Sequence, residues 1–233
     1  MKKIAKTVLQ IVYFLRTTLT WRATAKKLAT RQGGLKLHLG CGNRHHNDML
    51  NCEYRPSSAA DVVMDCGDLS RFKNGSVNQI FSNAFFEHLY RSQQIPLLRH
   101  CHRVLDENGT IVFLGIPDFR VIAEHYIQKA PGLKGVGEVF DLFHVYRYTH
   151  GDPEFAIGYW LEQLHKSLFD KEYIEYLLSS AGFQGWSIFN YCYPGEDIPL
   201  NLGFVAWKDQ PKQSLREVLK PFNDYISDIK TIR

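Results

Sequence analysis

Leu35-Lys36-Leu37-His38-Leu39-Gly40-Cys41-Gly42-Asn43-Arg44 carries a short apolar run directly into two closely spaced glycines. A strand feeding such a turn is how many nucleotide-binding α/β folds begin. Glycine lets the backbone approach a ligand, and the amides of the turn are expected to face it. Gly-x-Gly is also common in ordinary turns, so the weight falls on the next segment of the chain. Met49-Leu50-Asn51-Cys52-Glu53 reads as a second strand closed by an acid. A carboxylate placed there can accept hydrogen bonds from both hydroxyls of a ribose. A solvated strand end is the alternative use of Glu53.

Downstream the pattern repeats. Residues 61–64 form a third strand ending in Asp65-Cys66-Gly67-Asp68, and residues 76–82 a fourth that runs into Asn83-Ala84-Phe85-Phe86-Glu87-His88-Leu89. Ile95, Leu98, Cys101 and Leu105 then recur at helical spacing. The most apolar strand, 110–116, ends in Pro117-Asp118. Near-continuous apolar strands alternating with helices imply a parallel sheet buried on both faces. Residues 186–191 and 202–207 read as two further strands, separated by Pro194-Gly195-Glu196-Asp197 and Pro199, spaced for an antiparallel hairpin.

The order of these segments resembles the class I S-adenosylmethionine-dependent methyltransferases, most of all their compact type 11 branch. The resemblance is carried by Leu37-His38-Leu39-Gly40-Cys41-Gly42-Asn43, Asp61-Val62-Val63-Met64-Asp65, the run from Phe81 to Leu89, and Leu97 through Ile111. It resumes at His165-Lys166-Ser167-Leu168-Phe169-Asp170 through Ala181-Gly182-Phe183. It implies a Rossmann-like seven-stranded sheet of order 3-2-1-4-5-7-6 with strand 7 antiparallel. It also implies S-adenosylmethionine as cofactor. Gly40, Cys41 and Gly42 would line the methionine part, Glu53 would hold the ribose, Asp65 would lie near the adenine, and Asn83 near the methionine moiety or sulfonium.

Two departures stand out. The family usually has an acid two residues before the first glycine, where this chain has His38, so a contact to the cofactor ammonium is missing or made differently. Only ten residues separate Gly42 from Glu53, against roughly 20 in the dinucleotide fingerprint. The first helix must then be severely shortened. Arg44 also replaces the third glycine of that fingerprint, which counts against a nicotinamide-dependent oxidoreductase.

Methyl transfer from a sulfonium is a direct displacement, so positioning of nucleophile, methyl and sulfur supplies much of the catalysis. A general base helps a hydroxyl acceptor. Asp118 at the end of strand five and His88 after strand four are the candidates. Residues 119–168 form a helical insertion rich in His125, Tyr126, His144, Tyr146, Tyr148, His150, Tyr159, Trp160 and His165. Aromatic side chains with polar tips suit an acceptor pocket, and serve equally in a helical cap packed on a sheet. Ligand spacing suggests no metal site, and His45-His46 reads as a solvated turn.

The flanks differ in charge. Residues 1–47 hold ten basic residues and no acid, while the remainder holds 18 basic against 24 acidic. Residues 1–34 read as a basic amphipathic helix closed by Gly33-Gly34, with Ile4, Val8, Ile11, Val12 and Leu15 at helical spacing. Its nearly uncharged stretch, 7–15, is shorter than the roughly 20 residues that span a bilayer. Packing on its own domain, lying on anionic lipid and dimerisation are its possible uses. The methyltransferase domain is placed at 35–210 and a peripheral helical tail at 211–233, interrupted by Pro221. The five cysteines are odd in number and never at Cys-x-x-Cys spacing, which fits reduced thiols in the cytoplasm, peripheral to the inner face of the membrane if the helix touches lipid. The reading is therefore methyl transfer to an oxygen or nitrogen of a small molecule or cell-envelope glycan. A non-catalytic, cofactor-binding scaffold is its rival. A nucleic-acid methyltransferase ranks lower, because the basic segment is one helix with no reader motif.

Overall fold

The computed structural model describes residues 2–151, 158–209, 211 and 213–231. Its centre is one sheet of eight strands in the order β3-β2-β1-β4-β5-β7-β6-β8. The strands are β1 (Leu35–Leu39), β2 (Leu50–Glu53), β3 (Val62–Val63), β4 (Val77–Asn83), β5 (Leu105–Pro117), β6 (Gly185–Cys192), β7 (Asn201–Trp207) and β8 (Asp228–Thr231). The first five pair in parallel, and β7, β6 and β8 follow antiparallel to their neighbours. The seven-stranded order is as expected. The eighth strand is a correction: the tail that reads as a helix to residue 232 is α-helical only over Leu215–Leu219, continues as a 3-10 turn over Lys220–Tyr225, and ends as a strand on the edge of β6.

Alternation along the strands separates two apolar layers. Leu37, Leu39, Ile80, Ile111, Phe113 and Phe204 face one side, where α2 (Arg91–Val104), α5 (Lys171–Ala181) and the second half of α1 (Lys2–Gln32) cover them. α5 is fixed at both ends: the Asp170 carboxylate accepts from the Tyr173 amide at 2.8 Å, and Gly182 closes it in the left-handed conformation. The other side presents Phe81, Val112, Leu114, Phe189, Tyr191 and Val205. Its cover is the tail itself. Val218, Leu219, Phe222 and Tyr225 are all buried there, with Phe222 stacked on Phe81 at 4.2 Å. The tail is thus part of the core, not a peripheral appendage.

That cover compensates for a missing element. No helix forms between the glycine turn and β2, and the side chains left open there are sealed by aromatic contacts to the tail. His46 stacks on Tyr225 with centroids 5.8 Å apart, and its Nε2 lies 2.8 Å from the Tyr225 hydroxyl. In the His45-His46 pair, His45 is exposed as a turn residue would be, whereas His46 is half-buried against the tail. His45 Nδ1 lies 2.9 Å from the Ala59 carbonyl, and the Asn51 amide group bonds His45, the His46 carbonyl and Asp61.

α1 divides in two. Thr17 and Leu28 are buried, Trp21 meets Phe72 edge-on at 6.2 Å, and the Arg16 guanidinium donates to the Ala60 carbonyl at 2.6 Å. In the earlier turns Val8, Ile11, Val12, Leu15 and Leu19 are exposed.

Candidate functional site

At the carboxyl ends of β1, β2, β3 and β4, Gly40, Cys41, Gly42, Glu53, Asp65 and Asn83 all line one cavity of about 530 Å³, within the size range of cofactor sites. Gly40 and Gly42 hold φ of +65° and +55°, backbone that side chains with a β-carbon rarely adopt. A β-carbon at Gly40 would stand 3.0 Å from the Phe85 ring, whereas one at Gly42 would meet no atom within 4 Å. Gly42 therefore leaves open space in front of its backbone. Two amides of the turn are engaged by acceptors of the protein itself. Cys41 N–H donates to the Cys52 carbonyl and Gly42 N–H to Glu53 Oε2 at 2.7 Å. The cradle works by allowing close approach.

Glu53 sits almost fully buried at the end of β2. Its Oε2 receives the Gly42 amide and its Oε1 the Tyr54 amide at 2.9 Å. Two oxygens offer about four lone-pair directions, so two remain for ribose hydroxyls, and backbone contacts fix the group that would bind them. The cavity thus fits S-adenosylmethionine: a side-chain-free floor at the turn, an anchored carboxylate for the sugar, and room beside Asp65 and Asn83. The Cys41 thiol packs against Ala59 and Ala60, and burial pushes its pKa well above the ordinary thiol range. It contributes backbone, not nucleophilicity. His38, in place of the family's acid, points into the opposite layer. It is wedged between His46 and Phe81, with Nδ1 3.2 Å from Asn51 Oδ1, and burial lowers its pKa to about 3.

A second cavity, about 790 Å³, lies beyond Ala84, which lines both. Its roof comes from α3 (Phe119–Ile127), α4 (Leu142–His150) and the segment between them; its far wall is the β6–β7 connection. The junction is built from unusual backbone. Ala84 has φ of +52° and Gly115, opposite it, +80°. A β-carbon at Gly115 would come within 2.6 Å of the Ala84 nitrogen and 2.5 Å of the Tyr193 hydroxyl. That hydroxyl donates to Asn83 Oδ1 at 2.9 Å, tying the cofactor side to the second cavity. Ala84 is the strained one of the two, a non-glycine residue at positive φ, and such residues cluster at functional sites. Of the insertion's aromatic set, His125, His144, Tyr148 and His165 line this cavity; Tyr126, Tyr146, His150 and Trp160 do not. The side chain of Tyr159 lies outside the described residues.

The two proposed bases are placed differently. His88 lines the cofactor cavity, and burial, helped by His165, lowers its pKa to about 4. Asp118 lines neither cavity. It is the N-cap of α3, accepting from the Arg120 and Val121 amides, and its second oxygen accepts from Asn190 at 2.8 Å. An acid just before a helix is a cap by its chemistry, and this one ties β5, α3 and β6 together. Beside His88, Glu87 is the buried acid of this region. It is 2% exposed, lines the second cavity, and has an Oε2 with no hydrogen-bond partner among the described residues. Burial raises its pKa to about 8. The isolated Gly115 inside an apolar strand was the one available signal for the junction, since such a glycine marks close backbone approach.

Comparison with known proteins agrees with this geometry. Residues 37–113 match the type 11 family model described as "Methyltransferase domain", the stretch from β1 into β5 that builds the cofactor cavity. Among solved structures, a SAM-dependent methyltransferase from Archaeoglobus fulgidus superposes with a TM-score of 0.50 at 13% identity, covering 82% of this chain and 94% of that one. A SAM-dependent methyltransferase described as a possible histamine N-methyltransferase from Thermotoga maritima gives 0.48 at 12% identity, over 84% and 92%. One from Mesorhizobium loti gives 0.48 at 15%, over 81% and 97%. No curated protein matches the chain. The chain thus has the class I methyltransferase fold, and its residues 37–113 are similar to the type 11 methyltransferase domain.

Proposed function

We propose that the enzyme methylates an oxygen or nitrogen of a small hydroxylated molecule, or of one end of a cell-envelope glycan, held in the second cavity. The observation that carries this reading is the shared wall at Ala84. An acceptor in the 790 Å³ space, which Tyr193 and Glu87 also line, would border the cofactor cavity at that residue. The space suits a ligand of drug size and is lined by polar-tipped rings and charges of both signs, including Tyr148, Arg147 and Glu196. The test is transfer of an isotopically labelled methyl from S-adenosylmethionine to pools of small alcohols, amines and envelope glycans, read by mass spectrometry. Val136→Trp fills the second cavity away from the cofactor. It should cut turnover at least about tenfold, equivalent to ~1.4 kcal/mol of transition-state binding, while leaving S-adenosylhomocysteine affinity unchanged. Cofactor binding with no methyl consumed in any pool would favour the scaffold reading instead.

We also infer that the outer half of α1 rests on an anionic lipid surface. Val8, Ile11, Val12, Leu15 and Leu19 are each about half exposed or more and share the side of the helix away from Thr17, Trp21 and Leu28. Exposed Arg22 and Lys26 continue that side, and no acid occurs before Asp48. Among the described residues no helix is long and apolar enough to cross a membrane, so the contact would be interfacial. Vesicles of phosphatidylglycerol should co-sediment the chain where phosphatidylcholine vesicles do not, and Leu15→Glu with Leu19→Glu should abolish this. A dimer in sedimentation that the same double variant dissociates, with no vesicle binding, would assign the face to a second copy.

A further inference from the structure

Glu87 and His88 sit on a 3-10 turn (Phe86–His88) just after β4, and His165 arrives from the end of the insertion. One potential ligand atom from each lies within 4.8 Å of the others. Glu87 and His165 line the acceptor-side cavity, and His88 lines the cofactor cavity.

Hydrogen bonds around the cluster engage one nitrogen of each ring. His88 Nδ1 lies 3.3 Å from the Leu164 carbonyl and His165 Nδ1 2.8 Å from the Tyr148 carbonyl. A carbonyl only accepts, so both Nδ1 atoms carry the proton and donate. A neutral ring must then present a bare Nε2 lone pair. His88 Nε2 lies 3.6 Å from Glu87 Oε1, while Glu87 Oε2 is buried without a partner among the described residues. Two ring nitrogens and a carboxyl group, each able to offer a lone pair, thus converge on one point. A proton can bridge one pair of these atoms but not all three; a cation can.

We propose that Glu87, His88 and His165 bind one divalent transition-metal ion in the wall between the two cavities. Backbone carbonyls that fix the ring tautomer are the usual outer support of histidine ligands. Two imidazoles and a carboxylate form the donor set of catalytic zinc and non-haem iron sites that keep coordination positions open, whereas magnesium and calcium prefer oxygen. Donor atoms around one zinc ion stand about 3–3.5 Å apart, given bonds of roughly 2.0–2.2 Å. The Glu87–His88 pair is already near that spacing.

The ion's use, though not its binding, rests on reading the second cavity as the acceptor site. An acceptor hydroxyl in an open position would lose its proton to a solvent base more readily, because the ion stabilises the resulting oxyanion. The oxygen then forms the O–CH3 bond as the C–S bond breaks. The electron pair of that bond returns to sulfur, leaving neutral S-adenosylhomocysteine.

The full chain, stripped with chelator and desalted, would be titrated with Zn²⁺ by calorimetry and with Co²⁺ by visible absorption. The wild type should take up one ion per chain. Glu87→Gln and His165→Gln should each weaken binding at least about 100-fold, since loss of a mere outer partner costs 10–100-fold. His165 is the more accessible of the two, so its variant carries the test if Glu87→Gln fails to fold. S-adenosylhomocysteine affinity is measured on the same samples. A wild type that binds S-adenosylhomocysteine but shows no saturable uptake of either ion, or variants that bind the ions equally well, would overturn the site. Metal uptake lost in the variants but without any cofactor binding would leave the site standing and overturn the methyltransferase reading.

Discussion

Replacing Phe222 by alanine tests whether the tail is structural core. The ring is fully buried and stacked on Phe81 at 4.2 Å, and its neighbour Tyr225 is 5.2 Å from the same ring. Removing a buried phenylalanine costs about 3–5 kcal/mol in transfer and cavity energy, and the lost stacking pair falls within that range or adds up to about 1.5 kcal/mol. With a urea m-value of about 2–3 kcal/mol/M for a chain of this size, the midpoint should fall by roughly 1–2 M. The assay is equilibrium urea unfolding followed by far-ultraviolet circular dichroism and tryptophan fluorescence together. Coincident transitions license a two-state reading. The cofactor cavity lies at the strand ends and not under this ring, so S-adenosylhomocysteine binding should persist at low urea. A loss below about 1 kcal/mol would refute the argument and return the tail to the surface.

Three further changes have defined outcomes. Gly115→Ala forces a β-carbon to within 2.6 Å of Ala84 nitrogen at a φ of +80°; it should cost at least about 2 kcal/mol and lower methyl transfer more than cofactor affinity, as thermal melts and single-turnover rates would show. His38 makes stability depend on pH. Its folded pKa near 3 lies below the ordinary 6.5, so the unfolded chain binds the proton first. This contribution is fully present above about pH 6.5 and is lost as pH falls from there toward 3. At pH 4.5 the loss is on the order of 2–3 kcal/mol, and urea melts of His38→Leu at pH 7.5 and 4.5 should show a correspondingly smaller difference than wild type. Arg16→Ala removes the 2.6 Å bond to the Ala60 carbonyl that anchors α1; it should cost about 1–2 kcal/mol and speed amide exchange around Ala60.

Much of the cofactor side was legible in the sequence because its chemistry is local. A strand, two glycines and an acid that ends the next strand are read within twenty residues, and those residues do line one cavity. The tail was not legible, because Val218, Leu219, Phe222 and Tyr225 recur at a spacing that an α-helix and a 3-10 turn share. Only pairing with β6 makes 228–231 a strand. Asp118 could have been recognised as a cap from the helix that begins directly after it. The Glu87–His165 cluster could not, because its members lie 78 residues apart and meet only through the return of the insertion onto the turn after β4.

The central claim is that the cavity at Gly42 and Glu53 holds S-adenosylmethionine, and calorimetric titration with S-adenosylhomocysteine tests it most directly. Wild type should bind with micromolar affinity and show no heat with NAD. Glu53→Gln keeps the shape but removes the charged acceptor of the ribose hydroxyls. Binding should weaken by about 10–150-fold, the equivalent of ~1.5–3 kcal/mol for hydrogen bonds to a charged group. Folded protein that binds neither ligand, or a variant that binds S-adenosylhomocysteine as tightly as wild type, would contradict the assignment.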